Sequence, residues 1–366
     1  MNASVLTALD LPPTSPGGSV ELLHDLYTGA PPLIDAQVFM LTPVDKNPGA
    51  DVPAGLRLIT ASGKCLDGPP FWDYVKALRQ ALATAVDPRD VAVVHLQHLA
   101  FGATPALVGL LPGHPRLALV HGTDLIFAAA HPTQLRVLHE TVEASRAIVV
   151  PTAAMADELT RLAPHTRPER IAHIPWGIPD HLLRTPPSSR PRREGPLRLL
   201  YAGRLTPEKG ANMLVGTLAA IGGLRLSIAA PPSEYAACAA DLTQAGCHLT
   251  YLGWLPRAEL WQIFPDHDLL LVPSTTLEAF GLVALEAQAC GLPVLYQPVP
   301  GLTEVLIDSA LPIDLTDSRA LASILTRLQN DPNTLADLRE AGQRNAVRFP
   351  LSATAAALKA LSQEIA

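Results

Sequence analysis

Seven short apolar runs bounded by turn residues recur along the chain: VAVVHL (91–96), RLALVHG (116–122), AIVVPT (147–152), LRLLYAG (197–203), LRLSIAA (224–230), DLLLVPS (268–274) and LPVLYQ (292–297). Helix-length segments separate them. Runs that are apolar throughout, rather than alternating, need cover on both faces, and helices flanking a parallel sheet supply it. The pattern predicts an α/β fold of doubly wound sheets. With 366 residues the chain exceeds one ordinary core, so the runs divide into two sets. Between the sets lies RTPPSSRPRREGP (184–196), rich in Pro, Ser and Arg with nothing to bury, which reads as a linker. The expected domains are therefore 1–183 and 197–351. The final helical pattern, TAAALKALSQEIA after the break at FPLS, is expected to return residues 352–366 to the first domain. Ligands of doubly wound sheets sit beyond the strands' carboxyl ends, so the expected site is the crevice between the domains.

Composition narrows the partners. Hydrophobic residues make up 48% and charged ones 17%, which is a globular balance. A net charge of −7 without a long basic run disfavours nucleic acid and anionic lipid surfaces. The N-terminal stretch MNASVLTALDLPPTSPGG lacks a charged start before a long apolar run, and no apolar segment is long enough for a bilayer, so a cytoplasmic protein without stable membrane insertion is expected. Cys65, Cys238, Cys247 and Cys290 have no CxxC spacing and read as buried thiols. Oligomeric state stays open.

Two segments carry chemistry. In LLYAGRLTPEKG (199–210) a strand runs through Gly203 into a loop holding Arg204 and Lys209, where Arg as a planar fork and Lys as a point charge could grip a diphosphate. In LEAFGLVALEAQACG (277–291) a loop becomes helical near Gly281, and the backbone N–H groups of Phe280, Gly281 and Leu282 would form an anion site. Glu278 in the loop and Glu286 in the second helical turn are too far apart for shared acid–base work. They suit hydroxyls at separate places on one ligand. A solvated loop and ordinary helix-surface glutamates are the plain alternative. His95 and His98, in VVHLQHLAFG, lack further metal ligands nearby and read as wall or acceptor-site residues. In PDHD (265–268), Asp268 opens a strand rather than completing a DxD metal motif.

LLYAGRLTPEKG together with EAFGLVALEAQACGLPVL resembles the retaining, nucleotide-sugar-dependent glycosyltransferases of family 4, across roughly 197–345. SPGGSVELLHDL (15–26), LVHGTDLI (119–126) and IVVPTAAMADEL (148–159) echo the same family in the first domain. The resemblance implies the GT-B architecture, two Rossmann-like domains facing across a cleft. It implies that Arg204 and Lys209 hold the donor diphosphate, that Glu286 holds the ribose, and that Glu278 with the Phe280–Leu282 backbone addresses sugar and phosphate. It further places His121 at the donor sugar and Gly17 and Gly18 in a loop that closes on phosphate and acceptor; His98 and Asp124 are the acceptor candidates. Two departures stand out: AAPPSEY (229–235) replaces a Gly-rich turn, and Pro175-Trp176-Gly177 replaces Pro-Asn-Gly.

The expected activity is retaining transfer of a sugar from a UDP- or GDP-sugar to a small soluble acceptor, of secondary metabolism or thiol biosynthesis, with no cofactor and no metal. The resemblance implies front-face attack, with the departing phosphate helping to take the acceptor proton. An epimerase of the same fold and a non-catalytic sugar-nucleotide binder are the alternatives. A nicotinamide dehydrogenase is discounted because GxGxxG and its later acidic partner are absent from the sequence.

Overall fold

A computed structural model describes residues 4–43, 52–188, 195–211, 213, 216, 217, 221, 224–244 and 248–366. Cys247, residues 189–194 of the expected linker and most of the segment after Ala211 lie outside that set. Contacts divide the described chain into two compact units, one running to Pro175 and resumed by Leu351–Ala366, the other Trp176–Pro350. The division falls earlier than the Pro-rich segment 184–196, and it assigns the helix Leu351–Ile365 to the first unit.

In the first unit seven strands form one sheet: β1 (Ser4–Leu9), β2 (Ala36–Leu41), β3 (Leu56–Ile59), β4 (Val91–Leu96), β5 (Arg116–Leu119), β6 (Ala147–Val150) and β7 (Ile171–His173). Their order is β3-β2-β1-β4-β5-β6-β7, parallel at every pairing. The second unit carries β8 (Arg198–Ala202), β9 (Arg225–Ala229), β10 (His248–Gly253), β11 (Leu269–Val272), β12 (Val294–Tyr296) and β13 (Leu311–Pro312). These run β10-β9-β8-β11-β12-β13, again parallel throughout. Central strands such as β5, β6 and β11 are buried at every residue, which is why their sequences are uninterrupted apolar runs.

All seven apolar runs contain strands, each shorter than its run or equal to it, because the last residues turn out of the sheet. The strands without such a run are mostly edges. β3, β10 and β13 end their sheets' order or lie beside one open side, and β10 exposes Tyr251. β1 is central yet interrupted by Thr7, whose buried hydroxyl donates to the His95 carbonyl at 2.8 Å. A polar residue satisfied inside the sheet breaks the apolar signal without breaking the strand.

His95 is not a wall of any crevice. It is fully buried in β4, with Nδ1 2.8 Å from the Tyr27 hydroxyl and Nε2 2.7 Å from Ser362 Oγ. Ser362 lies on the last helix, so this bridge, with Thr354 Oγ1 donating to the Pro175 carbonyl at 2.8 Å, ties the C-terminal helix to the first unit. The thiols also differ from expectation: among the described residues only Cys290 is buried, its thiol pushed up to about 12 by burial, while Cys65 and Cys238 are half-buried.

Burial pushes the His95 imidazole down to about 3, against an unfolded value near ~6.5. The folded pKa is depressed, so the unfolded chain binds the extra proton between those values; the stability is present above ~6.5 and is lost as pH falls. At pH 5 this one group should have cost about 2 kcal/mol relative to pH 7. Urea unfolding at both pH values should show a shallower pH dependence for His95→Gln than for the wild type. Equal dependence would show that His95 is not the buried titrating group.

Candidate active site

In the second unit, connections leave β8 toward one edge of the sheet and β11 toward the other, so the topological switch point lies between these two neighbours. The loops after both strands meet there. Gly203, at φ 151°, donates its N–H to the Ala229 carbonyl, and the Tyr201 hydroxyl donates to the Arg204 carbonyl. Arg204 Nε donates to Glu234 Oε1 at 3.1 Å, and the Leu205 N–H to Glu234 Oε2 at 2.6 Å. A single 3-10 turn, Pro207–Lys209, ends at Gly210 with φ 80°. A Cβ at Gly210 would stand 1.8 Å from the Pro273 carbonyl oxygen, so the two loops touch at backbone level.

That approach sets Lys209 Nζ 2.6 Å from Glu278 Oε2, which also accepts from Ser274 Oγ at 2.9 Å. Gly281, in the left-handed region at φ 77°, precedes the helix Leu282–Ala289. Its first amides have no intrahelical acceptor, so the helix start presents N–H groups and a positive dipole end beside the Glu278 loop. The Phe280 side chain is buried and meets Phe349 edge-on at 5.2 Å; only its backbone belongs to the loop surface. Leu282 is half-buried at the helix start.

Glu286 does not present an open carboxylate. It is buried in the second helical turn, with Oε1 accepting from Arg257 Nε at 2.7 Å and Oε2 from Trp261 Nε1 at 2.9 Å. The Arg257 guanidinium also lies 5.3 Å from the Trp261 ring centroid. A buried carboxylate requires such partners, because leaving water unpaired costs several kcal/mol. Glu278 and Glu286 thus occupy separate surroundings, each with its own cation.

The switch point of the first unit lies between β1 and β4. Asp10 follows β1, Gln97 to Phe101 follow β4, and His121 follows β5. Gly17, half-buried at φ 150°, caps the helix Gly18–Tyr27 in the loop after β1, and Gly18 is exposed at its first position. The His98 and His121 rings are 4.9 Å apart, and Phe101 meets His98 edge-on at 5.1 Å. Phe101 adopts φ 70°, held by its N–H donating to buried Gln134 Oε1 at 2.7 Å. Burial, reinforced by His121 and Lys64, holds His98 well below the usual imidazole range, and burial pushes His121 down to about 3. Both rings are neutral near pH 7 and can offer or accept a hydrogen bond, not a positive charge.

Asp124, an acceptor candidate in the sequence, is fully buried instead. Its Oδ2 accepts the Leu99 N–H at 2.9 Å and its Oδ1 the His121 N–H at 3.2 Å. Burial raises its pKa to about 6 against the lowering effect of these amides. The carboxylate fixes the loops that carry His98 and His121. Among the described residues no cluster of three or more His, Cys, Asp or Glu could hold a metal ion. Asp268 is engaged by Arg198, through Nε at 3.1 Å and the backbone N–H at 2.8 Å.

Sequence reasoning missed Glu234, Arg257, Trp261, Lys64 and Asp10. None stands at a motif spacing; their partners are 25 to 92 residues distant in the chain. Ser274 alone was within reach, four residues before Glu278 in the same segment.

Two parallel α/β units, each gathering its polar loops at a switch point, define the GT-B class of two Rossmann-like domains. Residues 16–182 match the family model described as Glycosyltransferase Family 4, and residues 186–345 that described as Glycosyl transferases group 1. The chain is 30% identical over 295 residues to the D-inositol 3-phosphate glycosyltransferase 1 of Catenulispora acidiphila, covering 72% of this chain and 69% of that one. With the D-inositol 3-phosphate glycosyltransferase of Thermobispora bispora it shares 34% identity over 249 residues, covering 61% of this chain and only 58% of the relative. The chain belongs to the family 4, group 1 glycosyltransferases. Among solved structures, sucrose-phosphate synthase from Thermosynechococcus elongatus matches with a TM-score of 0.78 at 20% identity, covering 99% and 98% of the two chains. HepE of Anabaena, in complex with UDP and glucose, matches with a TM-score of 0.78 at 18% identity, covering 99% and 100%. No helix among the described residues is long and apolar enough to cross a membrane.

The backbone contacts can be tested at Gly301, which has φ 89° and would place a Cβ 1.7 Å from the Glu278 carbonyl oxygen. Gly301→Ala should destabilise the protein by about 2 kcal/mol or more, lowering the thermal midpoint by several degrees. Gly113→Ala, whose Cβ meets nothing within 4 Å, is the control. Matching melting curves for the two variants would contradict the tight packing of the Glu278 loop.

Proposed function

We propose that this chain transfers a glycosyl group from a nucleoside diphosphate sugar to an acceptor hydroxyl, with retention at the anomeric carbon and without a metal. The observation that carries the reading is the meeting, at the β8/β11 switch point, of Arg204, Lys209, Glu278 and the helix start at Gly281–Leu282. As the bond from the anomeric carbon to the diphosphate oxygen breaks, the electron pair leaves with the diphosphate. Two cations and a helix N-terminus are suited to stabilise that developing charge. The acceptor oxygen bonds to the same carbon, and its proton passes to a departing phosphate oxygen.

Lys209 and Glu278 share one hydrogen bond. A diphosphate would compete for the ammonium and leave the Glu278 carboxylate to accept from sugar hydroxyls. In the first unit, neutral His98 and His121 suit hydroxyl-rich ligands, and Lys64, with Nζ bonded to the Asp10 carbonyl, brings the nearby positive charge. D-inositol 3-phosphate, named for the relatives, is the first acceptor to offer, and UDP-sugars, as in the HepE complexes, are the first donors.

The test is product formation from UDP-, GDP-, ADP- and dTDP-sugars with a panel of phosphorylated and neutral polyols, in buffer with and without EDTA. Product with a retained anomeric configuration and no loss in EDTA is expected, and donor alone should stay unchanged. Lys209→Ala and Glu278→Ala should each lower turnover by about 100-fold or more while the melting temperature holds. Undiminished turnover in both variants would sink the assignment.

A further inference from the structure

We infer that Glu234 is a positioning residue for the diphosphate site, holding Arg204 by its inner edge so that the terminal amino groups of the guanidinium face the phosphates. The inference rests on the reading of Arg204 as a diphosphate ligand. Glu234 stands in the AAPPSEY segment (229–235), and no motif accounts for it.

One carboxylate makes two different contacts. Oε1 accepts from Arg204 Nε at 3.1 Å and Oε2 accepts the next residue's N–H, that of Leu205, at 2.6 Å. The Tyr201 hydroxyl fixes the Arg204 carbonyl from the other side. Arg204 is thereby held at its side chain, its carbonyl and the following amide. An Arg guanidinium has five N–H donors in a rigid fork; using the Nε donor leaves the four on the terminal nitrogens, the pair suited to bidentate phosphate recognition.

Glu234 is itself fixed. It lies in the first turn of the helix Pro232–Gln244, where the dipole favours a carboxylate, and the Tyr235 N–H donates to the Pro231 carbonyl at 2.9 Å. The pair is open to water, with side-chain exposures of 41% for Arg204 and 21% for Glu234. Ion pairs so exposed add little stability, so its consequence lies in geometry. Placing a carboxylate beside a polyanion site also has an electrostatic cost, and the two effects predict opposite outcomes. If orientation dominates, removing Glu234 weakens diphosphate binding; if charge repulsion dominates, removal tightens it.

The experiment is calorimetric titration of the full chain with UDP, GDP and UMP in metal-free buffer, for wild type, Glu234→Ala, Glu234→Gln, Arg204→Ala and the Arg204→Ala/Glu234→Ala double variant. Glu234→Ala should weaken diphosphate binding roughly 3- to 10-fold, the range set by re-ordering one long side chain, with a smaller loss for UMP. Glu234→Gln, whose single amide oxygen can serve only one of the two N–H groups, should fall between, and it supplies the answer if the alanine variant does not fold. In the Arg204→Ala background the Glu234 change should have no further effect. Unchanged or tighter binding by Glu234→Ala overturns the inference, as does an equal loss in the Arg204→Ala background, which would mean a structural role only. Wild type that binds neither UDP nor GDP removes the diphosphate reading itself and the inference with it; wild-type binding with an indifferent Glu234 overturns the inference alone.

Discussion

Everything at the second unit's switch point depends on how closely two loops approach. The Pro273 carbonyl occupies the space a Cβ would need at Gly210, and the Glu278 carbonyl does the same at Gly301. Only glycine meets both demands, because each position also has φ between 80° and 90°. The contact at Gly210 brings the β8 loop with Lys209 against the β11 loop with Glu278, and the contact at Gly301 adds the loop after β12. The charged side chains are long and flexible, but they leave from backbone that has almost no freedom. Precision in the cluster is therefore a property of main-chain packing, transmitted to the side chains.

The architecture was readable from the sequence because burial on both faces of a parallel sheet removes the polar residues from central strands. DLLLVPS and AIVVPT are unambiguous for that reason. Where the sheet ends, the rule fails: HLTYLG at an edge has one side open and alternates. Thr7 and His95 show a second limit. They are buried and polar, and what makes them tolerable is a partner far along the chain, Ser362 in the case of His95. Local sequence cannot announce such a partner. The same limit explains the site: Arg204, Lys209, Glu278 and Gly281 lie in two short segments and are visible as motifs, whereas Glu234, Arg257 and Trp261 join them only through the fold.

The first unit solves a different problem, that of keeping imidazoles neutral among the polar loops at its switch point. His98 is buried with His121 half-buried beside it, and each one's charged form would be penalised by lost hydration, with His121 and Lys64 adding to that penalty at His98. Asp124 could have reversed this by stabilising an imidazolium. It does not, because both of its oxygens accept backbone amides, at Leu99 and His121, and its own burial raises rather than lowers its pKa. The carboxylate organises the loops while leaving the rings uncharged.

Three of the second unit's cations, Arg204, Lys209 and Arg257, each meet one carboxylate, and their burial differs enough to separate what they can do. Side-chain exposures are 41% and 21% for Arg204–Glu234, 38% and 14% for Lys209–Glu278, and 11% and 5% for Arg257–Glu286. In the first two pairs water still screens the charges, so an arriving phosphate can replace or share the carboxylate at small cost. The third pair is too deep for that. Separating Arg257 from Glu286 would strand two charges in a dry environment, a loss of about 3 kcal/mol or more. A ribose hydroxyl that reaches Glu286 must therefore add to the existing hydrogen bonds, using lone pairs that Arg257 and Trp261 leave available, rather than displace them. In the proposed reaction the Lys209–Glu278 pair is the one that opens for the diphosphate, Arg204 keeps its Nε bond to Glu234 and offers only its terminal nitrogens, and the buried pair keeps Glu286 in one place.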